Sequence, residues 1–113
     1  MCVRDQQKAV DFYTEKLGFT LKRDEPMGPD ARWIELSLTG SQTVIVPFTP
    51  PGMEDRIGKF TGVVFNTEDA MKTFDELSAN GVKFTKKPEK QVWGGTTAMF
   101  VDQDENGFVL VQE

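Results

Sequence analysis

Residues 11–19 (Asp-Phe-Tyr-Thr-Glu-Lys-Leu-Gly-Phe) and residues 74–82 (Phe-Asp-Glu-Leu-Ser-Ala-Asn-Gly-Val) share one design. Each is an apolar helical stripe, a glycine that stops it, and an apolar residue that opens the next strand. Worked outward, the first stretch predicts a helix over 6–17, with Asp5 as N-cap, Ala9, Val10, Phe12, Tyr13 and Leu17 as the apolar positions, and Gly18 as the stop. The second predicts a helix over 68–79, capped by Asn66 or Thr67, with Met71, Phe74 and Leu77 on its apolar face and Asn80-Gly81 at its end.

Between the helices, short apolar or alternating runs predict strands at about 20–24, 32–38, 43–48, 60–66, 83–86, 97–102 and 108–112. The turns Thr39-Gly40-Ser41-Gln42 and Asp104-Glu105-Asn106-Gly107 are of hairpin length, so each flanking strand pair is expected to be antiparallel. Residues 49–59, with Pro50-Pro51-Gly52, read as a linker. The order of elements repeats on its two sides, so residues 1–113 are expected to form one α+β domain built from tandem β-α-β-β-β units, 1–48 and 60–113. Met1-Cys2-Val3-Arg4 is shorter than its counterpart beginning near Phe60, so the first strand is expected to be short or truncated.

Composition narrows the chemistry. The 113 residues include 13 Lys plus Arg against 18 Asp plus Glu, a net charge of -5 with no basic stripe, which argues against nucleic acid as a partner. No run of apolar residues is long enough to span a membrane and residues 1–19 lack a signal-peptide core, so a cytoplasmic location is expected. The single cysteine, Cys2, forms no internal disulfide and is expected to be a buried structural thiol. Histidine is absent, which removes the commonest neutral-pH base and the commonest transition-metal ligand.

Val3-Arg4-Asp5, residues 11–19, Leu77-Ser78-Ala79-Asn80-Gly81-Val82, Trp93-Gly94-Gly95 and residues 102–107 together resemble the vicinal oxygen chelate superfamily, which includes glyoxalase I, bleomycin and fosfomycin resistance proteins and extradiol dioxygenases. The resemblance spans nearly the whole chain. It implies a glyoxalase-like fold, an open, curved mixed sheet around a cavity, a small-molecule ligand or substrate, and a homodimer. In metal-dependent members His or Glu occupies one inward position on the first and last strand of each unit. Carried over by motif, the first such position falls upstream of Met1, and the others are Val46, Gly62 and Val109. None of these three can coordinate an ion, so no metal and no cofactor is expected.

Pairing through the turn at 39–42 sets Glu35 opposite Val46 and Trp33 opposite Phe48. Trp33, Glu35, Ser37, Val44, Val46 and Phe48 are then expected to face inward, with Ile34, Leu36 and Leu38 beneath a helix. Trp33 and Phe48 offer stacking faces and Glu35 an acceptor; alternatively Glu35 pairs with Arg32, Arg4 or a partner subunit. Trp93, beside two glycines, either lids the pocket or packs over its own hairpin. The expected ligand-binding residues are thus Trp33, Glu35, Phe48 and Trp93, in a metal-independent small-molecule-binding protein. An isomerase, lyase or epimerase using Glu35 as base, or a metal site completed by a partner subunit, is the first alternative, and a vestigial cavity with an assembly role is the second. Lys83, Lys86, Lys87 and Lys90 read as a solvated strand, and Asp102, Asp104 and Glu105 as a turn, not a calcium loop.

Overall fold

Asp5 takes an extended backbone conformation and its Oδ1 accepts the Lys8 N–H at 3.0 Å, which starts helix α1 (Gln6–Asp11) where the sequence places it. The computed structural model describes residues 1–29, 31–38 and 40–113. The chain divides into two units, Met1–Gly58 and Lys59–Glu113, and the helical and strand elements together make an α+β fold with mixed sheets.

In the first unit the expected helix does not stay α-helical to its end. Phe12–Lys16 widens into a π-helical turn, closed by the Phe19 N–H on the Tyr13 carbonyl at 2.8 Å. Consecutive Phe12 and Tyr13 are both buried, with their rings edge to face at 5.4 Å. Strands β1 (Thr20–Pro26) and β2 (Arg32–Ser37) then pair antiparallel, with Arg23 opposite Glu35 and Glu25 opposite Trp33.

The strand expected at 43–48 is reduced to a single bridge, Leu36 to Ile45, bonded in both directions at 2.9 and 2.7 Å. Bonded pairs in an antiparallel ladder recur every second residue, so the next rung would join Ile34 to Pro47, and proline has no N–H to give. The Gln6 carboxamide takes over this stretch. Its Nε2 donates to the carbonyls of Arg32 at 2.7 Å and Pro47 at 2.9 Å, while its Oε1 accepts the Arg32 N–H at 3.0 Å. Thr39 of the expected turn lies outside the described residues. On the far side, the Met1 ammonium donates to the Val46 carbonyl at 3.0 Å and the Phe48 N–H to the Met1 carbonyl at 2.9 Å, the pattern of a parallel pair. Cys2 is only half-buried, not the enclosed thiol expected, because it lies on this short edge segment.

The second unit completes the pattern. Strands β3 (Phe60–Asn66), β4 (Lys83–Lys90), β5 (Thr96–Val101) and β6 (Gly107–Gln112) form a sheet in the order β3-β6-β5-β4, with β3 and β6 parallel and the other neighbours antiparallel. The segments of the first unit follow the same order. Strand β4 runs beyond the expected 83–86 because its pairing with β5 continues across two register shifts to Lys90. Helix α2 (Ala70–Ala79) starts later than expected and is capped by Asp69, whose Oδ1 accepts the Lys72 N–H. Thr67 instead bonds the Thr73 hydroxyl and the Asp69 N–H, and Asn66 is the last residue of β3. At the other end the Gly81 N–H reaches Ser78 and the Val82 N–H reaches Leu77, both at 3.0 Å, satisfying the last carbonyls.

Five of the nine phenylalanines hold this unit together. Phe74 of α2 meets Phe84 edge to face at 4.7 Å, and Phe84, Phe100, Phe108 and Phe65 follow in sequence at 5.4 to 5.5 Å. The opposite sheet face carries Val64, Met99, Val101, Val109 and Val111, none of them fully buried. Phe100 is buried at the centre of the ring chain, so Phe100→Ala is expected to cost about 3–5 kcal/mol in chemical denaturation. Phe100→Leu, which keeps most of the volume, is expected to cost roughly 1 kcal/mol.

Candidate functional site

Alternation along β2 turns Ile34 and Leu36 to one face, where both are wholly buried, and Trp33, Glu35 and Ser37 to the other. Arg32 shares the face of Ile34. Its guanidinium grips Asp24 through two nitrogens, Nε to Oδ1 at 3.0 Å, and donates to the Gln7 Oε1 of α1 at 2.9 Å. The helix therefore lies on that side of the ribbon. Leu38, expected beneath the helix, is exposed just beyond the end of β2.

The other face holds an aromatic and charged array. Trp33 is 38% exposed, and its indole Nε1 donates to Glu35 Oε2 at 2.8 Å. Arg23, opposite Glu35 in the register, is ion-paired at 3.0 Å with Glu25 on its own strand. Its guanidinium is held above its ordinary pKa, above all by the hydrogen bond to Glu25 and then by that carboxylate's charge, with Glu35 contributing least. Arg32 is committed to Asp24, so the expected alternative of an Arg32–Glu35 pair is not what forms. Among the described residues Glu35 makes no ion pair, and its partner is a neutral indole.

The Leu36–Ile45 bridge has the register that sets Glu35 opposite Val46 and Trp33 opposite Phe48. Phe48 is half-buried. Ser37 is 1% exposed and its Oγ has no hydrogen-bond partner among the described residues, an arrangement that ordinarily costs about 1–3 kcal/mol. Trp93 belongs to the second unit, in the turn between β4 and β5, and is 59% exposed. Its ring lies against Gly95, where an added Cβ would come within 2.0 Å of the indole and 3.0 Å of the Gln112 carbonyl. The turn closes through the Gln91 N–H on Gly95 O at 2.7 Å, so Trp93 folds over its own hairpin.

At the positions where metal-dependent relatives would place ligands, the structure offers no donor side chains. Val46 contributes only a carbonyl, already bonded to the Met1 ammonium. Gly62 lies at a register shift in β3 with φ 76°, a left-handed conformation that a coordinating side chain would strain. Val109 pairs with Met99 and Val64. Among the described residues no group of three or more His, Cys, Asp or Glu could hold a metal ion, and the donor set does not fit one. Asp102, Asp104 and Asn106 form a closed network in the hairpin between β5 and β6, where Asp102 Oδ1 accepts the N–H groups of Asp104 and Asn106 at 2.8 and 2.9 Å. Among the described residues no helix is long and apolar enough to cross a membrane.

Sequence reasoning missed the Gln6 clamp, which no spacing announces. It also missed the Trp33–Glu35 bond, although two residues apart on one strand face is a signal that could have suggested it.

The sequence model of the Glyoxalase/Bleomycin resistance protein/Dioxygenase superfamily matches residues 1–110. The chain is 40% identical over 108 residues to the uncharacterized protein YetH of Bacillus subtilis (strain 168), covering 96% of this chain and 89% of that one. A crystal structure of a member of the same superfamily from Sphaerobacter thermophilus DSM 20745 superposes with a TM-score of 0.90 at 36% identity, covering 100% of this chain and 92% of that one. TnmS3, described as an antibiotic binding protein from Streptomyces sp. CB03234, superposes with a TM-score of 0.83 at 34% identity, covering 99% and 91%.

Hydrogen bonding to Arg32 holds the Asp24 carboxyl below the usual carboxylate range. A lowered folded-state pKa stabilises above the unfolded carboxyl's value, about 3.9, and that contribution is lost as pH falls through the folded value. Asp24→Asn is expected to lower stability by about 0.5–1 kcal/mol at pH 7, with the gap to wild type closing below about pH 4 when denaturation is followed against pH.

Proposed function

The chain belongs to the Glyoxalase/Bleomycin resistance protein/Dioxygenase superfamily, and on that premise we propose that it is a metal-independent small-molecule-binding protein whose ligand lies on the Trp33, Glu35 and Phe48 face of the first unit. One observation carries this reading: a partly exposed indole, locked by hydrogen bond to a carboxylate, stands on the sheet face that no helix of its unit covers. Such a face pairs apolar stacking surface with one oriented polar group, the usual composition of a ligand site. The ligand positions of metal-dependent relatives, being Val and Gly here, support binding without an ion. The antibiotic binding described for TnmS3 agrees with a sequestering role. Trp93 offers a separate aromatic contact on the second unit, which Trp93→Ala would test.

Ligand binding to the folded state raises the melting temperature by mass action, about 2.7 kcal/mol of added stability at 100 times Kd. EDTA-treated protein is expected to respond by several degrees to at least one compound among bleomycin-type antibiotics, glutathione conjugates and aromatic metabolites, and to lose that response in Trp33→Ala. Saturable stabilisation by Mn, Ni, Zn or Fe(II) would overturn metal independence. Silence to every organic compound would overturn the binding reading in favour of assembly.

A homodimer is part of the same proposal. Edge strand β3 presents Phe60 at 59% and Val64 at 51% exposure, a run that soluble edges ordinarily cover. Sedimentation is expected to show a dimer that Val64→Lys shifts toward monomer, and a wild-type monomer at micromolar concentration would refute it.

A further inference from the structure

Glu35 is a half-buried carboxylate whose partner among the described residues is a neutral N–H donor. The two arginines nearest in the ribbon are spent elsewhere: Arg23 on Glu25 at 3.0 Å, and Arg32 on Asp24 and Gln7. Arg23 reaches Glu35 only through its field, as the weakest contribution to its own raised pKa, so a half-buried carboxylate with no cation bonded to it keeps an electrostatic demand on its own face of the sheet. Trp33 sharpens that demand. Because its N–H edge is used on Glu35, what it presents to a ligand is its π-face, and donation to an anion makes that ring more electron-rich and more attractive to positive charge. Phe48 falls opposite Trp33 in the bridge register and adds a second aromatic surface.

From this pairing we infer that the Trp33–Glu35 face selects a planar aromatic cation, such as a quaternised or protonated nitrogen heterocycle, over its neutral isostere. The inference rests on the binding reading above and adds the ligand's charge. The ring of such a ligand stacks on Trp33 while its charge lies near the Glu35 carboxylate. Glu35 then gains a cation in direct contact, which neither Arg23, bonded to Glu25, nor Arg32, bonded to Asp24, supplies.

The test follows the Trp33 indole N–H resonance of nitrogen-15-labelled protein, assigned by its loss in Trp33→Phe. Protein is titrated at pH 8 with N-methylquinolinium and with 4-methylquinoline, which is neutral there. The expected result is saturable movement of that resonance by both probes, with the cation bound roughly tenfold tighter. Glu35→Gln is expected to erase the preference while keeping 4-methylquinoline binding, and an unchanged circular dichroism spectrum confirms that the variant folds. Equal affinity for the two probes in wild type, or a preference that survives Glu35→Gln, would overturn the inference. So would failure of both probes to move the resonance. In each case a retained thermal response to the wider compound panel leaves the binding reading standing, whereas silence in both experiments removes the two together.

Discussion

Pro47 constrains the first unit more than any other residue. A strand in the middle of a sheet must donate on both sides, and the rung that Ile34 would share with Pro47 lacks the donor on the Pro47 side. The ladder between β2 and the segment after it therefore stops at the Leu36–Ile45 bridge. Gln6 repairs the gap with a side-chain amide, which carries the same donor and acceptor groups as a peptide and here bonds Arg32 on both sides and Pro47 on one. The repair binds the first turn of α1 to the start of β2, so the helix is anchored at the point where the sheet is weakest. Arg32 reinforces the same junction from its guanidinium end, reaching Gln7 and Asp24.

The two units reach one strand order by different packing. In the second, the ladders from β4 to β6 are made by backbone, with two register shifts between β4 and β5, and the interior is a continuous run of phenylalanine rings under α2. In the first, aliphatic Ile34 and Leu36 fill the interior of β2, and Phe12, Tyr13 and Phe19 are buried around the π-helical turn. The faces turned away from the helices differ more sharply. That of the second unit carries Val64, Met99, Val109 and Val111 beside Thr97 and Lys86, and that of the first is aromatic and charged, with Trp33, Glu35, Arg23 and Glu25. The two units thus share a strand order while their exposed faces differ.

Much of this was legible in the residues. The glycine-stopped helices, the strand at 60–66 and the antiparallel hairpin of β5 and β6 follow from periodicity and turn chemistry, which act over a few residues, whereas the strand expected at 43–48 survives only as the Leu36–Ile45 bridge. The register of Glu35 against Val46 was legible because turn length fixes it. What escaped depends on contacts between distant segments. Nothing local marks Gln6 as the partner of Arg32 and Pro47. The N-cap moved from Thr67 to Asp69 because Thr67 found the Thr73 hydroxyl instead. Alternation alone places Leu38 in the interior, but β2 ends at Ser37 and the pattern ends with it.

A binding face built on a strand inherits the rigidity of the residues between its own. Trp33 and Glu35 alternate with Ile34 and Leu36, which are fully buried, so the backbone that aims the outer pair is fixed by the packing of the inner one. The indole-to-carboxylate bond then removes much of the remaining side-chain freedom before any ligand arrives. Ordering rotamer-rich side chains at an interface costs about 0.5–1.5 kcal/mol each, so a face already ordered in the free protein binds with less entropic loss. The same coupling runs outward from the core. A substitution that loosens Ile34 or Leu36 shifts the strand under Trp33 and Glu35, and recognition weakens without either residue being touched.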